Sequence, residues 1–200
     1  MSGRDRSHRR ARRRGWLPGI LLGGATLIVL LAVLVPLAAS RAPLELCVSE
    51  PASFPPSGVE GWDGEQLENA AVIVRTATAR GFGREGQIIG VMAAMGESSL
   101  HNIDYGDWET SGITNPDGTR TSSIGLFQQQ DWWGSAEERM DPATSAGLFY
   151  ARLARLRGWQ DLEPTIVIHR VQINADPGHY ERFETDAAAI VDALSGPCPS

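Results

Sequence analysis

The C-terminal three-quarters of the chain repeats apolar residues at the three- and four-residue spacing of amphipathic helices. The first predicted helix runs from Gln66 to Arg80 and ends at Gly81, the residue type that most often follows a helix. The second begins near Arg84 and continues through the sequence EGQIIGVMAAMGE to Glu97. These two segments predict a helical core.

Three more helices follow from capping residues and periodicity. One opens at Asp141-Pro142, an N-cap followed by a proline at the first helical position, and should end at Gly158. A short helix covers the sequence PTIVIHRVQ, and the last helix begins at Asp176-Pro177. Region 103–130 is polar and rich in Gly, Asn and Ser, which predicts a small hairpin or irregular segment. The fold class is therefore mainly α.

Residues 15–40 carry no charge and are mostly Leu, Ile, Val, Ala and Gly. About 20 such residues in a helix span the ~30 Å hydrocarbon core of a bilayer. Residues 1–14 contain seven arginines, and a basic flank stays on the cytoplasmic side. We therefore predict a cytoplasmic tail (1–14), a transmembrane signal anchor (15–40) and an extracellular C-terminal part. The alternative is a cleaved signal peptide, with LAAS at the cleavage site, which would release a secreted protein.

Composition divides the exported part into two segments. Residues 41–65 are rich in Pro, Gly, Ser and acids and are predicted to be a linker. Residues 66–198 have the length of one ordinary domain. Residues 41–200 hold 23 acidic residues against 11 basic ones, so the sequence predicts no nucleic-acid partner.

The two cysteines, Cys47 and Cys198, stand near the two ends of the exported part. An even cysteine count outside the cell predicts a disulfide, with two free thiols as the alternative. Closing a loop of about 150 residues would stabilise the domain by several kcal/mol in the chain-entropy model.

Glu97 continues one side of the second helix, because it follows Ile89 and Ala93 at a spacing of four. The negative end of the helix dipole and burial beside apolar residues both raise a carboxyl pKa. A carboxylic acid held protonated near neutral pH can donate a proton. The alternative is a solvent-facing glutamate at a frayed helix end.

Five motifs around Glu97 occur in a fixed order. They are Glu97-Ser98-Ser99-Leu100, Asn102-Ile103-Asp104-Tyr105-Gly106-Asp107, Ser123-Ile124-Gly125-Leu126-Phe127-Gln128-Gln129, Trp133-Gly134 and Met140-Asp141-Pro142. In this order the chain resembles the lysozyme-like superfamily over about residues 66–192. It is most similar to the soluble lytic transglycosylases and goose-type lysozymes, in the variant found in secreted proteins of high-GC Gram-positive bacteria and their phages.

The resemblance implies an enzyme that cleaves the glycan strands of peptidoglycan without a cofactor. Glu97 would protonate the oxygen between N-acetylmuramic acid and N-acetylglucosamine, and a well-placed acid contributes ~10²–10⁴ in rate. The turn Gly125–Gln128 would wall the cleft, with Gly125 letting the backbone approach the sugar. Gln128 would bond an acetamido group or orient Glu97, and Ser123 would bond Glu97 or the sugar.

The number of catalytic carboxylates separates two versions of this activity. Most glycosidases use two. The resemblance favours a lytic transglycosylase, which needs only one because the substrate's 6-hydroxyl closes a 1,6-anhydro ring. Asp107 across the cleft would instead allow a hydrolytic lysozyme. A third hypothesis is a non-catalytic peptidoglycan-binding or scaffold protein.

The chain departs from the family in two places. Residues 108–122 form an insertion that lengthens a cleft loop. The family segment Ala-Tyr-Asn-Ala-Gly supplies a tyrosine to the catalytic acid, but the corresponding sequence here is VQINADPGHY. Tyr180 or Tyr105 is the candidate for that role. The expected partners are glycan strands, the membrane through the N-terminal helix, and a secretion or conjugation machine that needs local wall opening.

Two histidines, His169 and His179, flank Asp176, but no HExxH motif or cysteine partner accompanies them. We therefore predict no metal site.

Overall fold

The computed structural model describes residues 49–195, and this part of the chain is mainly helical, which confirms the predicted fold class. Its α-helices are α1 (Gly64–Ala79), α2 (Arg84–Ser98), α3 (Asp107–Ser111), α4 (Ala136–Met140), α5 (Pro142–Leu153), α6 (Pro164–Gln172) and α7 (Glu184–Leu194). Short 3₁₀ turns occupy Pro51–Ser53, Asp131–Trp133, Trp159–Asp161 and Glu181–Phe183.

The central element is α2, which packs against α1, α6 and α7. Every residue from Gly86 to Met95 is buried, so this helix is surrounded by protein on all sides. Gly90 allows one of these close contacts, because a Cβ there would clash with the Tyr150 side chain of α5. The fold thus holds α2 rigidly and presents its C-terminal end, where Glu97 lies.

The helices predicted from local periodicity agree with α1, α2 and α6. The prediction that the third helix reaches Gly158 was wrong, because α5 ends at Leu153. Beyond Leu153 the backbone hydrogen bonds change to the three-residue spacing of a 3₁₀ turn: Arg155 N–H donates to Arg152 O, and Leu156 N–H donates to Leu153 O. This tighter path packs the partly buried Leu156 against the core.

The predicted start of the last helix was also wrong. The helix begins at Glu184, and residues 176–183 form turns and a 3₁₀ segment instead. Asp176 bonds the backbone N–H of Gly178 at 2.9 Å, which favours a turn over a helix N-terminus. Tyr180 in this segment is fully buried, and that burial sets the path of the chain.

The polar region 103–130 is irregular. It contains α3 and two isolated antiparallel bridges, Thr114–Arg120 and Ile124–Gln129, and no strand lies among residues 49–195. The sequence predicted either a small hairpin or an irregular segment here, and the structure has the irregular segment.

The residues before α1 lie against the helices. Phe54, Val59 and Trp62, within the predicted linker, pack on the core, and Trp62 Nε1–H donates to Asp186 at 3.1 Å. Ser49 N–H donates to Leu194 O at 2.7 Å, which joins the two ends of the described chain.

The predicted tail 1–14, the predicted membrane segment 15–40, residues 41–48 of the predicted linker, and both Cys47 and Cys198 lie outside the described residues. Within residues 49–195, no helix combines the length and the apolar character needed to cross a membrane.

Candidate active site

Glu97 lies in the last turn of α2, and its side chain is partly buried. The chain reverses immediately after it, because Ser99 (φ 54°) and Leu100 (φ 60°) both adopt the left-handed conformation. Leu100 is fully buried, and its carbonyl accepts a hydrogen bond from Asn69 of α1 at 2.8 Å. This anchored reversal fixes the position of Glu97 relative to the core.

One side chain hydrogen-bonds the Glu97 carboxyl group: the Tyr180 hydroxyl donates to Oε1. Burial raises the pKa of Glu97 to about 7, and the negative charge of Asp107 adds to this increase, whereas the hydrogen bond from Tyr180 and the amide of Gln172 at the end of α6 oppose it. Glu97 is therefore partly protonated at neutral pH.

The Tyr180 ring is held beside Glu97 by its contacts with Gly96 and His179. A Cβ at position 96 would clash with that ring, so Gly96 creates the space that the ring fills. His179 packs edge-on against the ring with centroids 4.8 Å apart, and His179 Nε2 lies 3.2 Å from Gly96 O. Burial raises the pKa of Tyr180 well above its usual value, so its hydroxyl stays a donor.

The turn Gly125–Gln128 is attached to both helices that contribute to the site. Ser98 Oγ–H donates to Leu126 O at 2.8 Å, which connects the turn to the end of α2. Gln172 Nε2–H donates to Phe127 O at 3.0 Å, which connects it to the end of α6. Ser98, the residue that follows Glu97, and Gln172 thus hold the turn against the ends of α2 and α6.

Gly125 makes a close backbone contact within the protein. It is buried with φ +78°, and a Cβ there would clash with the carbonyl oxygen of Arg139. In the structure this glycine therefore permits a close approach to α4, and its predicted approach to a sugar stays a prediction.

Gln128 is partly exposed at φ 45°. Its Nε2–H group donates to Tyr105 O at 3.2 Å and to Gly125 O at 3.1 Å. Neither bond goes to Glu97, so the direct contact expected between these two side chains is absent from the described residues. Gln128 instead holds the Tyr105 backbone against the turn.

The remaining predicted residues lie around the site at different depths. Asp107 is exposed at the first position of α3, close enough to Glu97 for its charge to raise the pKa of that group. The Tyr105 side chain is 46% exposed. Ser123 is buried against Gly106, and within the described chain its hydroxyl has no hydrogen bond to Glu97.

Three residues of the site were missed by the sequence analysis: Gly96, Ser98 and Gln172. A glycine inside a helical pattern often signals close packing, and Gly96 could have been found on that ground. Gln172 ends a predicted helix, but nothing local indicates that its amide reaches Phe127. Ser98 donates to a carbonyl 28 positions away, so periodicity does not reveal its role.

The two histidines have separate contacts. His169 Nδ1 lies 2.5 Å from Asn174 Oδ1, whereas His179 contacts Gly96 and Tyr180. Among residues 49–195, no three His, Cys, Asp or Glu side chains converge as metal ligands.

Comparison with known proteins gives no further assignment: no protein-family model matches the chain, and no curated protein matches it. The functional interpretation therefore depends on Glu97 and the residues around it.

Proposed function

We propose that this protein cleaves the glycan strands of peptidoglycan, with Glu97 as the general acid. The observation that carries the proposal is the state of Glu97: a partly buried carboxyl that accepts a hydrogen bond from Tyr180 and has a pKa of about 7. A general acid works best when its pKa lies near the working pH, since it is then both available and able to give its proton. The lysozyme-like character of the fold is part of the same proposal.

The geometry supports a two-step role for Glu97. In the first step, the protonated acid gives its proton to the bridging oxygen as the bond to C1 of N-acetylmuramic acid breaks. The carboxylate that forms accepts a hydrogen bond from Tyr180, which stabilises the charged form. In the second step, the substrate's 6-hydroxyl bonds to C1 and its proton returns to Glu97, which gives a 1,6-anhydro product.

A digestion of purified peptidoglycan by the full-length protein tests this proposal. Glu97→Gln keeps the shape and the hydrogen-bond acceptor but has no proton to give, so we expect fragment release to fall by ~10² or more. Glu85→Gln is the matched control, because Glu85 is exposed at the other end of the same helix.

Equal fragment release by the wild type and by Glu97→Gln would contradict the role of Glu97. No release by the wild type, combined with retention on the polymer, would favour the non-catalytic binding or scaffold hypothesis.

A hydrolytic lysozyme is the second candidate, and one observation favours it. Asp107 is close enough to raise the pKa of Glu97 through its charge, and it is exposed to water. A second carboxylate in such a position can activate a water molecule. Mass spectrometry of the products separates the two: a transglycosylase gives anhydro ends that are one water lighter than the reducing ends a lysozyme gives. Asp107→Asn should abolish release only in the second case.

We also propose that residues 15–40 anchor the enzyme in the cell membrane with the catalytic domain outside, which would confine cleavage to nearby wall. Extraction of membranes at alkaline pH tests this part. An anchored protein stays in the pellet at full length, whereas a cleaved signal peptide yields a shorter soluble chain.

A further inference from the structure

A polar pocket lies between the insertion 108–122 and the segment that follows the turn Gly125–Gln128. Its volume is about 630 Å³, and its walls come from residues 115–122 and from residues 130–132. Trp132 is the aromatic residue of this lining, and it is 49% exposed. Most of the other lining side chains are polar or charged. We call this site the Trp132 pocket.

Hydrogen bonds hold the two walls of the Trp132 pocket together. Asp131 N–H donates to Ser122 Oγ at 3.0 Å, which joins one wall directly to the other. The buried Arg139 joins them again, because its Nη1 group donates to Ser122 O at 2.7 Å and to Gln129 O at 2.9 Å. The pocket is therefore formed before any ligand binds, as small-molecule sites usually are.

Trp132 is held with part of its ring open to the pocket. The Arg152 guanidinium lies over this ring, 4.1 Å from its centroid, and also over the ring of Trp133 at 3.7 Å. Within the described chain, Arg152 is not among the residues that line the pocket, so Trp132 presents another part of its surface there. A fixed, half-exposed indole offers a flat apolar surface on which the C–H groups of a sugar ring can pack.

Polar groups in the lining have hydrogen-bonding capacity that the protein does not use. Thr119 donates twice to Asp117 Oδ1, whereas Asp117 Oδ2 has no partner among residues 49–195. Ser122 Oγ accepts from Asp131, and within the same residues its own hydrogen is not donated. The two carboxylates outnumber the one guanidinium of the lining, that of Arg120, which disfavours an anionic ligand. These features suit an uncharged ring that carries hydroxyl groups.

The Trp132 pocket adjoins the segment that lies beside Glu97. Residues 123–129 connect its two walls in the chain and include the turn Gly125–Gln128, which Ser98 ties to the end of α2. Arg139 contacts both parts: its carbonyl oxygen lies against Gly125, and its guanidinium bonds both walls of the pocket. The pocket and the turn are thus fixed relative to each other.

We propose that the Trp132 pocket is a subsite for an N-acetylglucosamine ring of the glycan strand, away from the bond that Glu97 cleaves. Trp132 is the stacking surface, and Asp117 and Ser122 are the hydrogen-bonding groups. The identity of the ligand rests on the proposed function. Of the two sugars in the strand, N-acetylglucosamine is the one without a carboxyl group or a peptide, in agreement with the charge of the lining. The insertion 108–122 therefore lengthens the surface that binds the strand.

Strand binding without cleavage tests this inference. The probes are peptide-free glycan strands, released from purified peptidoglycan by an amidase and separated by length, and the parent is full-length Glu97→Gln. Calorimetry gives Kd for each length. We expect Trp132→Ala to weaken binding of long strands by about three- to tenfold and to reduce the gain in affinity with length. Trp132→Phe keeps an aromatic ring and should stay within about twofold of the parent.

Two further variants separate the subsite from general packing. Trp159→Ala removes a partly buried tryptophan that packs on Phe82 and lies outside the Trp132 pocket, so it should bind strands as the parent does. Asp117→Ala removes an exposed carboxylate of the pocket and should weaken binding of long strands by about threefold or more. It gives the answer if Trp132→Ala does not fold.

Parent-like affinity of Trp132→Ala or, where that variant does not fold, of Asp117→Ala for strands of every length would overturn the inference. If this result accompanies fragment release that depends on Glu97, the proposed function stands and only the subsite is wrong. If long-strand binding depends on Trp132 while the wild type releases no fragments, the subsite stands and the proposed cleavage is wrong.

Discussion

At the level of individual side chains, Glu97 is placed at a cost to stability. An ionised carboxyl is disfavoured by burial and by the nearby charge of Asp107, and both raise its pKa. The hydrogen bond from Tyr180 offsets part of this effect. A group that destabilises its own protein in the charged state is typical of a functional site, where the reaction needs the perturbed acid.

Replacing Glu97 should therefore stabilise the protein at alkaline pH. The pKa of Glu97 is about 7 in the folded protein against a reference value of 4.5, so the folded state keeps a proton that the unfolded state loses. The free energy of unfolding thus decreases as pH rises from the lower value to the higher one. We expect Glu97→Gln to be more stable than the wild type by about 1–3 kcal/mol at pH 8. Urea unfolding at several pH values measures this difference.

The same series includes its own control. Below pH 4.5 the carboxyl is protonated in both states, so the advantage of Glu97→Gln should disappear there. An advantage of constant size at every pH would mean that it comes from packing, and the raised pKa would then be contradicted.

Among the helices, α2 carries Glu97, and the residues of α2 contact different parts of the protein along the helix. Gly86 to Met95 are buried by surrounding helices, whereas Gly96 is open to the ring of Tyr180 from the segment before α7. The Tyr180 ring therefore reaches Glu97 by packing over Gly96, a helix position that has no side chain. This contact joins residues 83 positions apart in the chain.

Gly96→Ala should disturb the acid through this contact. Alanine favours a helix interior by ~1 kcal/mol over glycine, but here its methyl group would clash with the Tyr180 ring. We expect the ring to move, the pKa of Glu97 to rise and fragment release to fall by about tenfold or more. A pH titration of the Glu97 carboxyl carbon by ¹³C NMR and the peptidoglycan digestion described above measure these effects.

A double-mutant cycle checks the mechanism of this effect. In a Tyr180→Ala background the clash is absent, so Gly96→Ala should be neutral or stabilising. The same loss of stability in both backgrounds would show that the Tyr180 ring is not the cause.

The elements that the sequence predicted well are those determined locally. Helices α1, α2 and α6 follow from apolar spacing and from Gly81 and Pro164 at their ends. The late start of α7 was not predicted, because burial of Tyr180 overrides the helix-opening pattern at Asp176-Pro177. Glu97 and Tyr180 were both identified as candidates, but their contact and the contribution of Gln172 depend on tertiary packing.

For the domain as a whole, the two ends of the described chain lie side by side. Ser49 N–H donates to Leu194 O at 2.7 Å. In the sequence, Cys47 lies two residues before Ser49 and Cys198 four residues after Leu194. A chain extends at most ~3.3–3.6 Å per residue, so the backbone geometry is compatible with the predicted disulfide. A bond there would close a loop around the entire helical domain.

The predicted disulfide should stabilise the domain strongly. In the chain-entropy model, a loop of about 150 residues is worth roughly 4–5 kcal/mol. We expect Cys47→Ser, Cys198→Ser and the double variant to unfold at similarly reduced urea concentrations. Mass spectrometry of a non-reduced digest should detect the linked peptide. Free thiols in the wild-type protein, or unchanged unfolding of the double variant, would contradict the bond.

The pH dependence of peptidoglycan cleavage tests the role of Glu97 as an acid. If Glu97 gives the proton with its pKa of about 7, kcat/KM of the full-length protein should be constant at mildly acidic pH. Above neutrality it should then fall about tenfold for each pH unit. A rate that stays constant or rises between about pH 6 and 9 would show that no protonated group of this pKa takes part, and the role assigned to Glu97 would be wrong.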